Sequence, residues 1–181
     1  MKNELRSQSI KLIVLDVDGV LTNGQIVFGR DGELMKAFHA QDGLGITLAH
    51  KMGIRTAIIT GRESQMVELR SQELKIGDVY QGAMSKTEAL GALMDKYQLT
   101  LEEIAYIGDD LNDLPVLLRV GFACAVANAA FEVKEHAHFV TQQTGGNGAV
   151  REVIEFILKA QGKWEKIIGE YLQGGYIETK Q

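Results

Sequence analysis

The stretch "LIVLDVDGVLTNG", residues 12–24, decides the fold. It opens on a continuous apolar run, which reads as a strand buried on both faces. The run ends on Asp16 and Asp18, one residue apart, and then Gly19. Two like charges at the end of a buried strand are costly unless a cation or a reaction requires them. In an open parallel α/β sheet, ligands bind outside the carboxyl ends of the strands. The first question is therefore whether the rest of the chain builds such a sheet.

It does by pattern. Short β-branched runs recur at 10–16, 54–60, 78–80, 104–109, 121–127 and 138–141, with helical patterns at 43–52, 63–75, 86–97, 112–119, 129–135 and 148–160 between them. Strands alternating with helices predict an α/β fold: a doubly wound, mainly parallel, Rossmann-like sheet. Ser85 with Glu88, and Thr100 with Glu103, fit capping boxes at two helix starts. One segment breaks the alternation. "QIVFGRDGELMKAFH", 25–39, reads as strand, Asp31-Gly32 turn, strand, a hairpin flap directly after the first strand. Residues 19–59 are consumed by this hairpin and one helix, and residues 61–85 by one helix and one strand. Neither gap holds a cap domain. The whole chain, 1–181, is expected to be a single domain. Its last stretch begins as an amphipathic helix and ends in a polar tail, 174–181, expected to be mobile.

The bulk numbers narrow the function. A chain of 181 residues, 45% hydrophobic and 24% charged, has an ordinary globular composition. Its net charge of −5, with no basic cluster, argues against nucleic acid as a partner. No apolar run is long enough to span a bilayer, and "MKNELRSQSIK" is too polar for a secretory leader. A soluble cytoplasmic protein with no membrane partner is expected. The single cysteine, Cys124, lies among apolar neighbours and reads as a buried thiol.

The strand ends carry the chemistry. The first delivers Asp16, Asp18 and Gly19; the second Thr60, Gly61 and Arg62. The segment after the third delivers Ser85 and Lys86, and the fourth delivers Asp109, Asp110 and, a turn later, Asp113. Several carboxylates on one edge repel unless a cation sits among them, and oxygen-only ligands suit Mg²⁺. With the phosphate's charge screened, one aspartate can attack phosphorus while a second protonates the leaving oxygen and then activates water. Thr60 and Lys86 are placed to hold the transferring phosphoryl oxygens, Lys86 in the first turn of a helix whose N–H groups favour anions.

"DVDGVLT", "ITGR", "SKTEAL" and "GDDLNDLP" resemble, in order and spacing, the four motifs of haloacid dehalogenase-superfamily phosphatases. The resemblance implies Asp16 as nucleophile and Mg²⁺ ligand. Asp18 becomes the acid/base, binding metal through its carbonyl. Thr60 and Lys86 bind phosphate, Asp109 is a metal ligand, and Asp110 and Asp113 support the metal shell. "GVLTNG", "DGE", "FHAQDGLGI" and "TGGNGAVREV" further resemble the capless branch that acts on 3-deoxy-D-manno-octulosonate 8-phosphate, a small acidic sugar phosphate on the route to lipopolysaccharide. Members of that branch are magnesium-dependent homotetramers. There the loop matching His39, Ala40, Gln41, Asp42 and Gly43 contacts substrate, with Gly61, Arg62, Arg70, Asp18 and Lys86. This chain departs at Gln41, where the branch commonly has arginine. A close branch cleaves sialic acid 9-phosphate-type sugars and stands as the alternative.

Plainer readings stand beside these. Arg62 and Arg70 lie eight apart, so one helix face could carry both, or the face is merely solvated. Gly145, Gly146 and Gly148 form either a phosphate cradle or a flexible turn. Met94, Trp164, His136 and His138 are given no catalytic role. A phospho-accepting receiver domain also uses acids, Thr, Lys and Mg²⁺ on a doubly wound sheet, but places its acid pair at the first strand and its acceptor at the third. Here the nucleophile and its companion acid share the first strand. The open site and the flap together predict a homo-oligomer with the flap shared between subunits.

Overall fold

The predicted sheet forms around the opening run. A computed structural model describes residues 2–174. Strand β1 (Leu12–Leu15) lies between β4 (Arg55–Ile59) and β6 (Ile104–Gly108) and pairs in parallel with both. β5 (Asp78–Tyr80) adds outside β4, while β7 (Phe122–Ala125) and β8 (Phe139–Val140) extend the other side. The order is β5-β4-β1-β6-β7-β8, all parallel. The chain thus winds one way from β1 and then returns past it, so the topological switch lies where β1 meets β6. β1, β6 and β7 are fully buried, which is why their sequences are continuous apolar runs.

Right-handed crossovers then dictate the layers. α2 (Ala40–Lys51) and α3 (Gln65–Glu73) fall on one face. α4 (Lys86–Tyr97), α5 (Leu114–Leu117) and α6 (Phe131–His136) fall on the other. α7 (Ala149–Ala160) packs on α2, with α1 (Lys2–Gln8) and α8 (Trp164–Leu172) against it. α7 buries Val150, Val153, Ile154, Ile157 and Leu158, the spacing of one helical face. Each such side chain stabilises by roughly 1.5–3 kcal/mol.

Several expectations shift in detail. α1 forms where no helix was read; it is short and polar, and it docks through the buried Ser7 and through Asn3 Nδ2, which donates to His138 O. The Thr100–Glu103 capping box is real but caps one 3₁₀ turn, Leu101–Glu103, because Ile104 already begins β6. The flap is a two-stranded sheet, β2 (Val27–Gly29) with β3 (Gly32–Met35). Its turn residues are Arg30 and Asp31, one position earlier than read, since Gly29 pairs with Gly32. Gly32 joins β3 with φ +114°. The tail expected to be mobile lies, beyond Gly174, outside the described residues.

Candidate active site

Four segments converge at the switch point. β1 ends at Leu15, so Asp16 emerges from the sheet with its amide donating to Ile107 O of β6 (3.1 Å). β6 ends at Gly108, and Asp109 follows beside it. Carboxylate oxygens of Asp16, Asp109 and Asp113 lie within 4.8 Å of one another. Gly19 makes this approach possible. Its φ is +93°, and a Cβ there would sit 2.0 Å from Asp109 Oδ2.

Asp113 is the internal brace. It is wholly buried. Its Oδ1 accepts from Lys86 Nζ (2.6 Å) and Tyr106 OH (2.5 Å), and its Oδ2 from the amides of Asp109 (2.8 Å) and Asp110 (3.2 Å). Four donors saturate one carboxylate. Asp113 therefore shapes the Asp109 loop and holds Lys86. Tyr106, which the sequence reading passed over, is a hydroxyl in a buried strand. Such a group needs a partner, and that was its signal.

Lys86 opens α4, capped by Ser85, whose side chain accepts from the Glu88 amide. Its Nζ lies 3.0 Å from Asp16 Oδ2. Burial works against the ammonium, yet Asp16 and Asp113 outweigh it and hold its pKa above the ordinary lysine value. The acids' pKa values also rise, which for a carboxylate disfavours the charged form. Burial, and then Asp113, pushes Asp16 up to about 6. Burial, followed by the charges of Asp113 and Asp16, pushes Asp109 up to about 7. Within this cluster, the buried Asp16 Oδ1 and Asp109 Oδ1 have no hydrogen-bond partner. Crowded, destabilised carboxylates with two bare oxygens fit a hard divalent cation, which prefers oxygen ligands and offsets their repulsion. Asp110 does not join them. It is exposed, and its Oδ1 accepts from the Leu111 amide, capping the 3₁₀ turn Leu111–Asp113.

Asp18 sits on the outer side of this cluster. Its Oδ1 accepts from Lys36 of the flap, and its Oδ2 lies 3.6 Å from Arg62 Nε. Thr60 follows β4 and is buried; Gly61 and Arg62 follow it and are exposed. Arg62 precedes α3, which starts only at Gln65, so Arg62 and Arg70 do not share a helix face as the spacing had suggested. Arg70 instead lies over the Phe38 ring (5.8 Å), pairs with Glu73 (2.7 Å) and packs on Gly43. It backs the 38–43 segment from behind. A cavity of about 970 Å³ between α2 and α3 adjoins it, and no acid of the cluster lines that cavity.

The segment His39–Gly43 divides in the same way. His39 caps α2 through its backbone, and Ala40 and Gln41 are exposed in the first turn. Asp42 points inward. Its oxygens accept from the amides of Gly148 (3.2 Å) and Arg151 (2.8 Å), so it caps α7 from a neighbouring helix. Burial raises its pKa against those amides. Gly148 cannot cap α7 itself, having no side chain. The glycine loop is neither phosphate cradle nor loose turn. A Cβ on Gly145 would lie 1.6 Å from Gly19 O, and one on Gly146 would lie 2.4 Å from Asn23 N. Gly146 N donates to Val20 O (2.9 Å), which clamps the loop behind the first motif. That loop also brings His39 and Gln41 beside Gly148, near the motif.

Comparisons with known proteins identify relatives of the chain. Residues 69–154 match the family model of haloacid dehalogenase-like hydrolases. The 3-deoxy-D-manno-octulosonate 8-phosphate phosphatase of Escherichia coli K12 is 45% identical over 165 residues, spanning 91% of this chain and 88% of that one. The same enzyme of Moraxella catarrhalis, solved in complex with magnesium ion, phosphate ion and a KDO molecule, superposes with a TM-score of 0.92 at 44% identity, over 94% of this chain and 98% of that one. A probable yrbi family phosphatase from Pseudomonas syringae superposes with a TM-score of 0.93 at 48% identity, over 94% and 97% of the two chains.

Proposed function

Because the chain belongs to the 3-deoxy-D-manno-octulosonate 8-phosphate phosphatase family of haloacid dehalogenase-like hydrolases, we propose that it hydrolyses that sugar phosphate to Kdo and phosphate, with Mg²⁺, for lipopolysaccharide synthesis. One observation carries the reading. The bare Asp16 Oδ1 and Asp109 Oδ1 share a buried pocket with Lys86, whose ammonium lies 3.0 Å from Asp16 Oδ2. A nucleophile, a cation site and an anion holder are thereby joined.

Asp16 and Asp109 would hold the metal, with Asp113 supporting them. When bound, Mg²⁺ offsets the carboxylates' repulsion and draws charge from the phosphoryl oxygens. Asp16 forms a bond to phosphorus as the phosphorus–oxygen bond to the sugar breaks, and Asp18 protonates the departing oxygen. Asp18 then takes a proton from water, whose oxygen displaces Asp16 from phosphorus. Lys86 and Thr60 hold the phosphoryl oxygens through both halves. Arg62, with the exposed Ala40 and Gln41, faces the rest of the substrate. The chain acts as one domain in the cytoplasm; among the described residues no helix is long and apolar enough to cross a membrane. It works as a homo-oligomer, a tetramer by family resemblance, in which the flap is shared. The exposed Phe28, Leu34 and Met35 of the flap support that arrangement.

The test is phosphate release from a panel of sugar phosphates with and without Mg²⁺. Kdo 8-phosphate should turn over fastest, EDTA should stop it, and Asp16→Ala should lose at least about 10³-fold in kcat. Full turnover by Asp16→Ala would overturn the mechanism. Faster turnover of a sialic acid 9-phosphate would move the substrate to the related branch, with Gln41 as the residue to examine.

A further inference from the structure

The flap carries its polarity inside out. Phe28, Leu34 and Met35 are exposed, while the Lys36 side chain just after β3 is only 1% exposed. A lysine is seldom buried unless paired, and Lys36 is paired twice. Its Nζ donates to Asp18 Oδ1 and lies 3.1 Å from Glu33 Oε1. Glu33 in turn accepts from the Ser64 hydroxyl, the residue that caps α3. Burial works against the Glu33 carboxylate, yet Ser64 and Lys36 hold its pKa below the ordinary value, so it stays charged beside Lys36. One chain of contacts therefore links the loop after β1, the flap and the loop after β4. It ends on the residue assigned the proton transfers. Asp18 Oδ1 is fixed by Lys36, whereas Oδ2, 3.6 Å from Arg62 Nε, is beyond hydrogen-bond reach of that side chain.

We propose that Lys36 is a positioning residue for the proton transfers. By holding Asp18 Oδ1 it presents Oδ2 to the leaving oxygen, so the flap takes part in the chemistry. The proposal rests on the phosphatase reading above. In the first half-reaction Asp16 bonds to phosphorus, the phosphorus–oxygen bond breaks with its electron pair on the sugar oxygen, and that oxygen takes the Asp18 proton. An alkoxide needs this proton. A p-nitrophenolate does not, because it leaves as a stable anion.

The experiment exploits that difference. With Mg²⁺-loaded protein, Lys36→Met keeps length and apolar volume but removes the charge. Its single-turnover rate on Kdo 8-phosphate should fall by roughly 10²-fold, while its pre-steady-state burst of p-nitrophenolate from p-nitrophenyl phosphate stays within about threefold of wild type. Lys36→Arg, which keeps the charge, should fall between. A merely structural lysine would lower both rates together, and equal losses, or no loss on the sugar phosphate, overturn the proposal. Should Lys36→Met fail to fold, Glu33→Gln releases the second partner of Lys36 and should show the same split in smaller degree; a uniform loss there also overturns it. Wild-type protein that releases phosphate from neither substrate would overturn the phosphatase reading itself, and this proposal with it.

Discussion

The acid pocket and the flap, joined by the loop after β1, solve opposite problems. In the pocket, Asp113 receives four donors, Lys86 is held from both sides, and only the two oxygens suited to metal and phosphorus stay bare. On the flap, charges turn inward and large apolar side chains face out, with Phe28 65% and Leu34 59% exposed. The first region draws its contacts from within one chain; the second leaves an apolar face exposed, the kind of surface that marks interaction sites. The contrast teaches where each capability resides. Bond-making groups must be fixed before substrate arrives, because electrostatic stabilisation depends on preorganisation. Selectivity for a sugar can be supplied by a mobile or shared element.

The contrast can be broken at its rigid end first. Asp113→Ala removes the brace and leaves the buried Tyr106 hydroxyl without its partner and Lys86 with one. It should cost about 3–5 kcal/mol in denaturant unfolding. A cost below about 1 kcal/mol would mean the pocket is braced elsewhere.

Metal comes next. Asp16 and Asp109 have folded-state pKa values raised to about 6 and about 7 from 3.8. The metal-free folded state thus binds more protons than the unfolded chain between about pH 4 and pH 7. Its stability should fall as pH rises through that window and level off above it. Mg²⁺ needs the ionised pair, so saturating Mg²⁺ should add about 2.7 kcal/mol at a hundredfold excess over Kd at pH 8 and much less at pH 5. Equal Tm shifts at both pH values would place the cation elsewhere. The smallest effect on folding belongs to the flap. Phe28→Ser with Leu34→Ser should leave unfolding within about 0.5 kcal/mol. The same pair should lower the assembly's mass in sedimentation, and an unchanged mass would detach the flap from oligomerisation.

What the sequence disclosed followed from range. Four of the parallel strands were legible as buried apolar runs, and the partly exposed β5 and β8 as short β-branched or aromatic stretches between helical patterns. The strand ends Asp16, Thr60, Lys86 and Asp109 were legible because a parallel sheet sends its carboxyl ends to one edge. Other contacts emerge only in the structure, some of them across long stretches of chain and some local. Asp42 looked like a substrate contact and caps α7, more than a hundred positions away. Asp110, next to a metal-site acid, turns to cap its own 3₁₀ turn. Lys36 drew no notice, although a hairpin with outward Leu34 and Met35 between Glu33 and Lys36 has inverted patterning, and that inversion was the available sign. α1 lacked any periodic signal, being seven residues of mostly polar sequence.

The glycine clamp behind the first motif has a temporal meaning. Gly146 reaches back to Val20, and Gly145 closes on Gly19, from the far end of the chain. A growing polypeptide displays the nucleophile early, but the loop after it gains this backing only when these glycines appear. Such non-local closure is a late event in folding. The support behind the first motif is therefore built only when residues 145–146 join the fold.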